Sequence, residues 1–307
     1  MALSLSLHAQ DEAVTKNPGN VAGTVLWFRA DKDVYSDIER KTEAVNGVAV
    51  VHWSDQSENG YHAFHPNANN EPIFTTNSIN SNPVLTFDGS DDYLPISELN
   101  YNSGHSPSAI SIFTVLKTTS DLPGIILSYD ASEYFRFSIN LYYHEDDIST
   151  NYGLVVEDPP PFYGNSDESD GVPHLLGASY DLSMSSEFDN VHLYFDGLVD
   201  ASMKNNSSFD NSELRYGYLG VGSEADEFDK MHGRGPGHYF DGDMAEIIYY
   251  ERALSELERQ KVASYLAIKY GITLQAPVSY LNSDGTVIWD ANINDGYSHD
   301  IAGIGRD

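Results

Sequence analysis

The feature that most limits what this chain can fold into is a series of ten short apolar runs, bounded by turn-forming residues and with no helical pattern between them. They fall at residues 25–30, 84–87, 110–117, 125–129, 134–139, 152–156, 175–180, 191–195, 216–221 and 244–250. β-branched and aromatic side chains recur in several of them, and Gly, Asn, Asp or Pro closes them, which is the composition of strands on a pleated, half-buried surface. A parallel sheet would need a helix or long crossover at each connection, so the pattern predicts an all-β antiparallel sandwich. Phe195-Asp196-Gly197-Leu198 adds an Asp-Gly pair between apolar flanks, the signature of a tight hairpin.

One helix is expected, near the end of the sandwich. Ser255 and Glu258 have the spacing of a capping box, in which each side chain satisfies an orphan amide of the other residue. Ala263, Leu266, Ala267 and Tyr270 then share one helical face, and Gly271 supplies a residue that adopts positive φ without strain. The expected place for this helix is across an edge of the sandwich.

Charge narrows the partners. Lys+Arg 16 against Asp+Glu 47 gives a net charge of −31, which repels phosphate backbones and anionic membrane surfaces. Two readings of the excess remain open: a solvated acidic surface suited to saline surroundings, and clustered oxygen ligands for a hard cation such as Ca²⁺. The chain has no cysteine, which removes disulfides, zinc–thiolate sites and thiol nucleophiles. No apolar run approaches the roughly 18 residues of a membrane span. Met1 to Gln10 reads as the end of an export signal, an apolar run followed by small residues.

The resulting division is a lead over residues 1–20, a sandwich over 21–275, and a linker with the start of a following module over 276–307. Within the sandwich, residues 157–171 and 223–237 lack apolar periodicity and read as long loops, a frequent location for function.

Four stretches resemble the concanavalin A-like, LamG-type jelly rolls of secreted Bacteroidetes-type surface proteins. Trp53-Ser-Asp-Gln-Ser-Glu-Asn-Gly60 is similar to the family's early loop, with Glu58 where the family has Gly. Pro83-Val-Leu-Thr-Phe-Asp-Gly-Ser-Asp-Asp-Tyr-Leu94 resembles its strand and Asp-Gly turn, and Val191-His-Leu-Tyr-Phe-Asp-Gly197 its hairpin. The order from His238 through Tyr250 to Arg259 resembles its last strand running into a short helix. The resemblance implies a jelly-roll sandwich, secretion or display at the cell surface, and membership of a longer parent chain. It implies a non-catalytic carbohydrate-binding or adhesion module whose partner is an extracellular polysaccharide; a structural spacer or protein-interaction module is the alternative, because one fold hosts many activities.

Candidate sites follow from side-chain chemistry. The carboxylates of Asp88, Asp91 and Asp92 in the Asp-Gly turn, with Asp243 and Glu246 on the last strand, are candidates for a Ca²⁺ site. The resemblance implies such a structural calcium, which would need six to eight oxygens; the competing reading makes these residues turn formers. For glycan, an aromatic ring stacks on a sugar's apolar face while polar neighbours bond its hydroxyls. Tyr142, Tyr143, His144 and Asp146, and Phe162 with Tyr163, combine those groups. Packing within the sandwich is the competing role for any one of these rings. Catalysis has weaker support. Glu224-Ala-Asp226-Glu-Phe-Asp229 is the nearest approach to the paired-carboxylate strand of a retaining glucanase, and it ends in Asp and runs into a Gly-rich stretch. His52, His62 and His65 belong to no nucleophile or zinc motif.

Overall fold

A computed structural model of the chain describes residues 17–65, 69–101, 107–129, 135–139, 151–156, 162–184, 189–205, 207, 215–222 and 238–294. In chain order the strands are β1 (Thr24–Arg29), β2 (Val34–Tyr35), β3 (His52–Trp53), β4 (Ala63–Phe64), β5 (Ile73–Ile79), β6 (Asn82–Asp88) and β7 (Leu94–Tyr101). There follow β8 (Ala109–Lys117), β9 (Gly124–Tyr129), β10 (Phe135–Ile139), β11 (Gly153–Val156), β12 (Phe162–Tyr163) and β13 (His174–Asp181). The last are β14 (Val191–Phe195), β15 (Leu198–Met203), β16 (Arg215–Leu219), β17 (Asp241–Tyr250), the helix α1 (Glu256–Tyr270), β18 (Tyr280–Leu281) and β19 (Val287–Trp289).

Two sheets face each other. One runs β15-β14-β13-β8-β17-β6-β5, with β1 also paired to β17; the other runs β12-β11-β10-β9-β16-β7-β4-β3-β2. Every pairing among the described strands is antiparallel. This is a two-sheet antiparallel jelly-roll sandwich, all-β apart from one helix near its C-terminal end.

The strand period of two divides each sheet into an inner and an outer face. Phe28, Leu85, Ile112, Leu176 and Ile247 meet Trp53, Ile96, Leu127, Phe137 and Leu219 from the opposite sheet in the main core. On the other side of the eight-stranded sheet, Trp27, Phe113, Val115, Ile248 and Tyr250 pack under Val262, Leu266 and Tyr270 of α1. The middle of that sheet is thus buried on both faces, which explains why β8 and β17 read as nearly unbroken apolar runs. The helix lies on this face rather than across an edge, because β1, β8 and β17 present apolar side chains outward as well as inward.

Local chemistry fixes the joints. Ser255 caps α1 with both halves of the capping box made, and Gly271 closes it at φ 67. The turn from β14 to β15 has φ 45 at Asp196 and 84 at Gly197, and a Cβ on Gly197 would stand 2.8 Å from Leu274. Asp55 explains the Trp53–Gly60 loop: it is buried and accepts from the amides of Trp27, Ser57 and Tyr61, tying the loop to β1. Beyond the helix, Tyr280 is buried with Ile272 and Leu274 in the second core, and Trp289 packs against it.

Part of the 157–171 stretch is well tied down. Residues 162 and 163 form β12 on the sheet edge, and Asp200 accepts from Tyr152 Oη (3.1 Å) and from Ser166 Oγ (2.8 Å). Residues 1–16, 157–161, 223–237 and 295–307, and with them Glu224 and Asp226, lie outside the described residues.

Candidate functional site: the outer face of the nine-stranded sheet

The nine-stranded sheet has no helix over its outer face among the described residues, and register determines which side chains stand there. In β16, Leu219 enters the main core, so Tyr218 and Tyr216 point outward. Tyr218 pairs with Pro95 of β7 on one side and Ser128 of β9 on the other. Tyr93, just before β7, lies with its ring centroid 6.0 Å from that of Tyr218, and His65 sits 4.6 Å from Tyr93. Tyr239 completes the group: Phe240 donates to Gly220 O and Ile125 to His238 O, which hold this segment beside β9 and β16. Tyr218 and Val221 are buried at its centre, with Tyr93, Tyr216 and Tyr239 half-exposed around them.

Toward the β12 edge the same face is lined by smaller residues. Tyr163, Gly153, Ser138 and Ile125 are register neighbours across four strands. Tyr163 packs on Ile125, while Phe162 turns inward onto the main core. Tyr163 therefore stands on the outer face and Phe162 does not.

The acidic turn borders the tyrosines. One oxygen from each of Asp88, Asp91 and Asp92 lies within 4.8 Å of the others. Asp92 is buried and accepts from the Asp88 amide (2.9 Å), while Asp88 accepts from the amides of Ser90 (2.8 Å) and Asp91 (3.2 Å). Burial, with Asp88, Asp91 and Glu71 nearby, pushes the Asp92 carboxyl up to about 7 despite the bond from the Asp88 amide. Burial and the charges of Asp91 and Asp88 also raise the Tyr239 hydroxyl, a sign of how closely the acids approach the rings. Asn70 fastens the turn to β7, donating to Asp91 O (3.1 Å) and accepting from the Tyr93 amide (3.0 Å).

The other two acids named from sequence stand elsewhere. Asp243 pairs with Lys117 at 2.9 Å and accepts from Thr86 and Ser78 on the outer face of the eight-stranded sheet. Glu246 is fully buried under α1, where it accepts from Trp27 Nε1 (2.6 Å), Tyr265 (3.0 Å), Lys269 (2.7 Å) and Tyr270 (2.8 Å). The structure thus brings Asp88, Asp91 and Asp92 together and leaves Asp243 and Glu246 out of that cluster. A register irregularity between Met244 and Glu246 separates the two last-strand acids. Tyr142, Tyr143, His144 and Asp146 lie outside the described residues.

Sequence reading did not pick out Tyr93, Tyr216, Tyr218 and Tyr239. A signal existed in Tyr216-Gly-Tyr218, where two aromatics spaced by two must share a face. Which face they share depends on Leu219 entering the core.

Residues 258–307 match the model of a family described as Domain of unknown function (DUF8202), a span that begins within α1. None of the curated proteins matches the chain. Among solved structures, the chain is similar to Trypanosoma rangeli sialidase in complex with sialic acid, at 11% identity and TM-score 0.45, over 80% of this chain and 33% of that one. It is similar at 14% identity and TM-score 0.46 to domain 4 of an extracellular GH43 arabinanase from Geobacillus stearothermophilus in complex with arabinotriose, over 78% of this chain and 98% of that one. A structure titled for the interaction of botulinum neurotoxin type C with two ganglioside molecules is similar at 13% identity and TM-score 0.47, over 83% of this chain and 53% of that one. The chain thus spans 33% of the sialidase chain, and what each of these proteins binds is a property of that protein. No helix among the described residues is long and apolar enough to cross a membrane.

Proposed function

We propose that this protein is a non-catalytic, extracellular carbohydrate-binding or adhesion module of a larger surface protein, and that glycan lies on the outer face of its nine-stranded sheet. The observation that carries the reading is the group of Tyr93, Tyr216, Tyr218 and Tyr239 on the face opposite the core, with Asp88 and Asp91 at its margin. Half-exposed rings offer flat apolar area for the C–H face of a pyranose, and carboxylates accept from its hydroxyls. Rings on packed strands need little ordering when ligand arrives, which lowers the entropic cost of binding.

Calcium belongs to the same proposal. Asp88, Asp91 and Asp92 would supply carboxylate oxygens, and water would complete the shell that this hard cation requires. A Ca²⁺ there would relieve the like-charge crowding that raises Asp92. The ion would be structural and would hold the turn beside Tyr93.

A glycan array probed with and without calcium tests the reading. Binding to at least one polysaccharide class, stronger with calcium, is expected; silence across the array in both conditions would favour a spacer. One observation favours a protein-interaction role as the second reading. Leu257, Val287, Ile288 and Ile293 are exposed around the β18–β19 hairpin, away from the tyrosine face.

A further inference from the structure

At the far end of the same sheet a histidine ring is walled in by other rings. Tyr35, His52 and Phe64 are register neighbours on β2, β3 and β4. Their alternating partners Val34, Trp53 and Ala63 enter the core, so these three side chains stand on the outer face. His52 stacks on Phe64 at 5.9 Å with an interplanar angle of 8°, and Tyr35 meets it edge-on at 6.0 Å. The ring of His62 lies across it at 5.1 Å. His52 is only 4% exposed, and neither of its ring nitrogens has a hydrogen-bond partner.

A second proton on this ring would place a charge where nothing receives it. β4 contributes the uncharged Phe64, and β2 the phenol of Tyr35. The 36–43 segment brings Arg40, a cation, together with Asp37, and the 55–62 segment brings His62, which gains like charge in acid. Asp37 favours the charged ring, but its carboxylate is already engaged by the amides of Lys41 and Thr42. Asp33 accepts from Tyr35 Oη, Glu39 pairs with Lys41, and Asp55 takes the amides of Trp27, Ser57 and Tyr61. An aromatic face attracts a cation, yet that attraction is smaller than the cost of an ion buried without a hydrogen-bonded partner. Burial is accordingly the main cause that lowers this ring from the ordinary 6.5 to about 4, and His62 and Arg40 add to it.

The rim that carries the ring is lightly joined to the sheet. β2, β3 and β4 span two residues each, and β4 meets β7 at the single register pair Ala63↔Ile96. Val51 donates to Tyr35 O (3.0 Å) and His65 to Val51 O (2.9 Å), so these two amides report whether the rim is closed. We infer that His52 is an acid-sensitive catch: its neutral ring keeps β2, β3 and β4 closed, and protonation drives the ring out of the stack and loosens the rim. Ladders this short open locally while the core strands stay paired. The open state takes up the proton first. The closed rim therefore has its full advantage above about 6.5 and loses it as pH falls toward about 4. The catch works whether or not glycan lies on the face.

Hydrogen exchange and histidine NMR on the whole wild-type chain give the first test. From about pH 7.5 to about pH 4.5, protection of the Val51 and His65 amides should fall roughly 50-fold after correction for the intrinsic pH dependence of exchange. The amides of Ile112 and Ala178, paired between β8 and β13, should hold. The His52 ring itself should titrate below about 5. A ring that titrates higher, or rim amides equally protected at both pH values, would overturn the inference. His52→Phe keeps an aromatic ring in the stack and cannot take a proton, so it should retain protection at the lower pH. A fall in His52→Phe as large as in the wild type would assign the pH response to another group and sink the catch. None of these measurements involves a glycan, so the catch and the glycan reading can fail separately.

Discussion

Glu246 takes four donors in a space that excludes water, and the cation among them, Lys269, also reaches Asp31 at 2.9 Å. Asp31 in turn is held well below the usual carboxylate range by Arg29 and Lys269, which outweigh the opposing effect of its burial. Removing one partner of such a pair leaves an uncompensated charge in low dielectric, and breaking a buried pair costs about 3–5 kcal/mol. Lys269→Met should therefore lower unfolding free energy by about that amount in urea titrations; a loss below about 1 kcal/mol, the size of a surface pair, would mean the network is solvated. Asp92 carries the opposite lesson. Its folded carboxyl titrates near 7, above the ordinary 3.8, so the folded state holds a proton that the unfolded state has already lost. Its contribution to stability is full below about 4 and is lost as pH rises through about 7. Asp92→Asn keeps an acceptor for the Asp88 amide and removes the titration. In thermal melts without calcium, the wild type should lose more stability than this variant between pH 4 and pH 7, and parallel curves would contradict the assignment.

Among the elements, α1 was the most legible, because its ends are written in local chemistry. Ser255→Ala removes the side-chain acceptor for the Glu258 amide and should cost about 1 kcal/mol, with Ser255→Thr close to neutral by chemical denaturation. Equal stability of alanine and serine forms would show that the cap is redundant with the Arg252–Glu258 pair. The position of the helix was not legible. It depends on Trp27, Phe113 and Ile248 forming an outer apolar surface across three strands distant in sequence. All ten apolar runs became strands, but β2, β3, β4 and β12 span two residues each, too short for any period to register. The candidate site was half legible for the same reason. Asp88, Asp91 and Asp92 announce themselves as one turn, whereas Tyr93, Tyr216 and Tyr239 converge only through register. It is Asp241 that pairs with Asp88 in the register, and Asp243 and Glu246 were candidates because the family resemblance implies a carboxylate from the last strand. Their own neighbours, Lys117 and Lys269, come from other elements.

At the scale of the molecule, a charge of −31 opposes compaction, so any cation bound by the native state and hardly by the unfolded chain should stabilise it. Calcium at a hundredfold excess over Kd would add about 2.7 kcal/mol. Chelator should lower Tm, calcium should restore it more than sodium of equal ionic strength, and Asp92→Asn should blunt the calcium response alone. Identical melts with chelator and with calcium would make the acidic turn a turn and nothing more. The sandwich divides its labour between sheets: the eight-stranded one is covered on both faces along its middle strands, and the nine-stranded one turns rings outward. The central claim is that these outward rings bind glycan. The most direct measurement is calorimetric affinity for the strongest neutral array hit, compared among wild type, Tyr216→Ala, Tyr239→Ala and Leu257→Ser. Each tyrosine variant should lose about 1–3 kcal/mol of binding, the scale of burying one side chain, at unchanged Tm, while Leu257→Ser binds as wild type. Full affinity in both tyrosine variants would contradict the account.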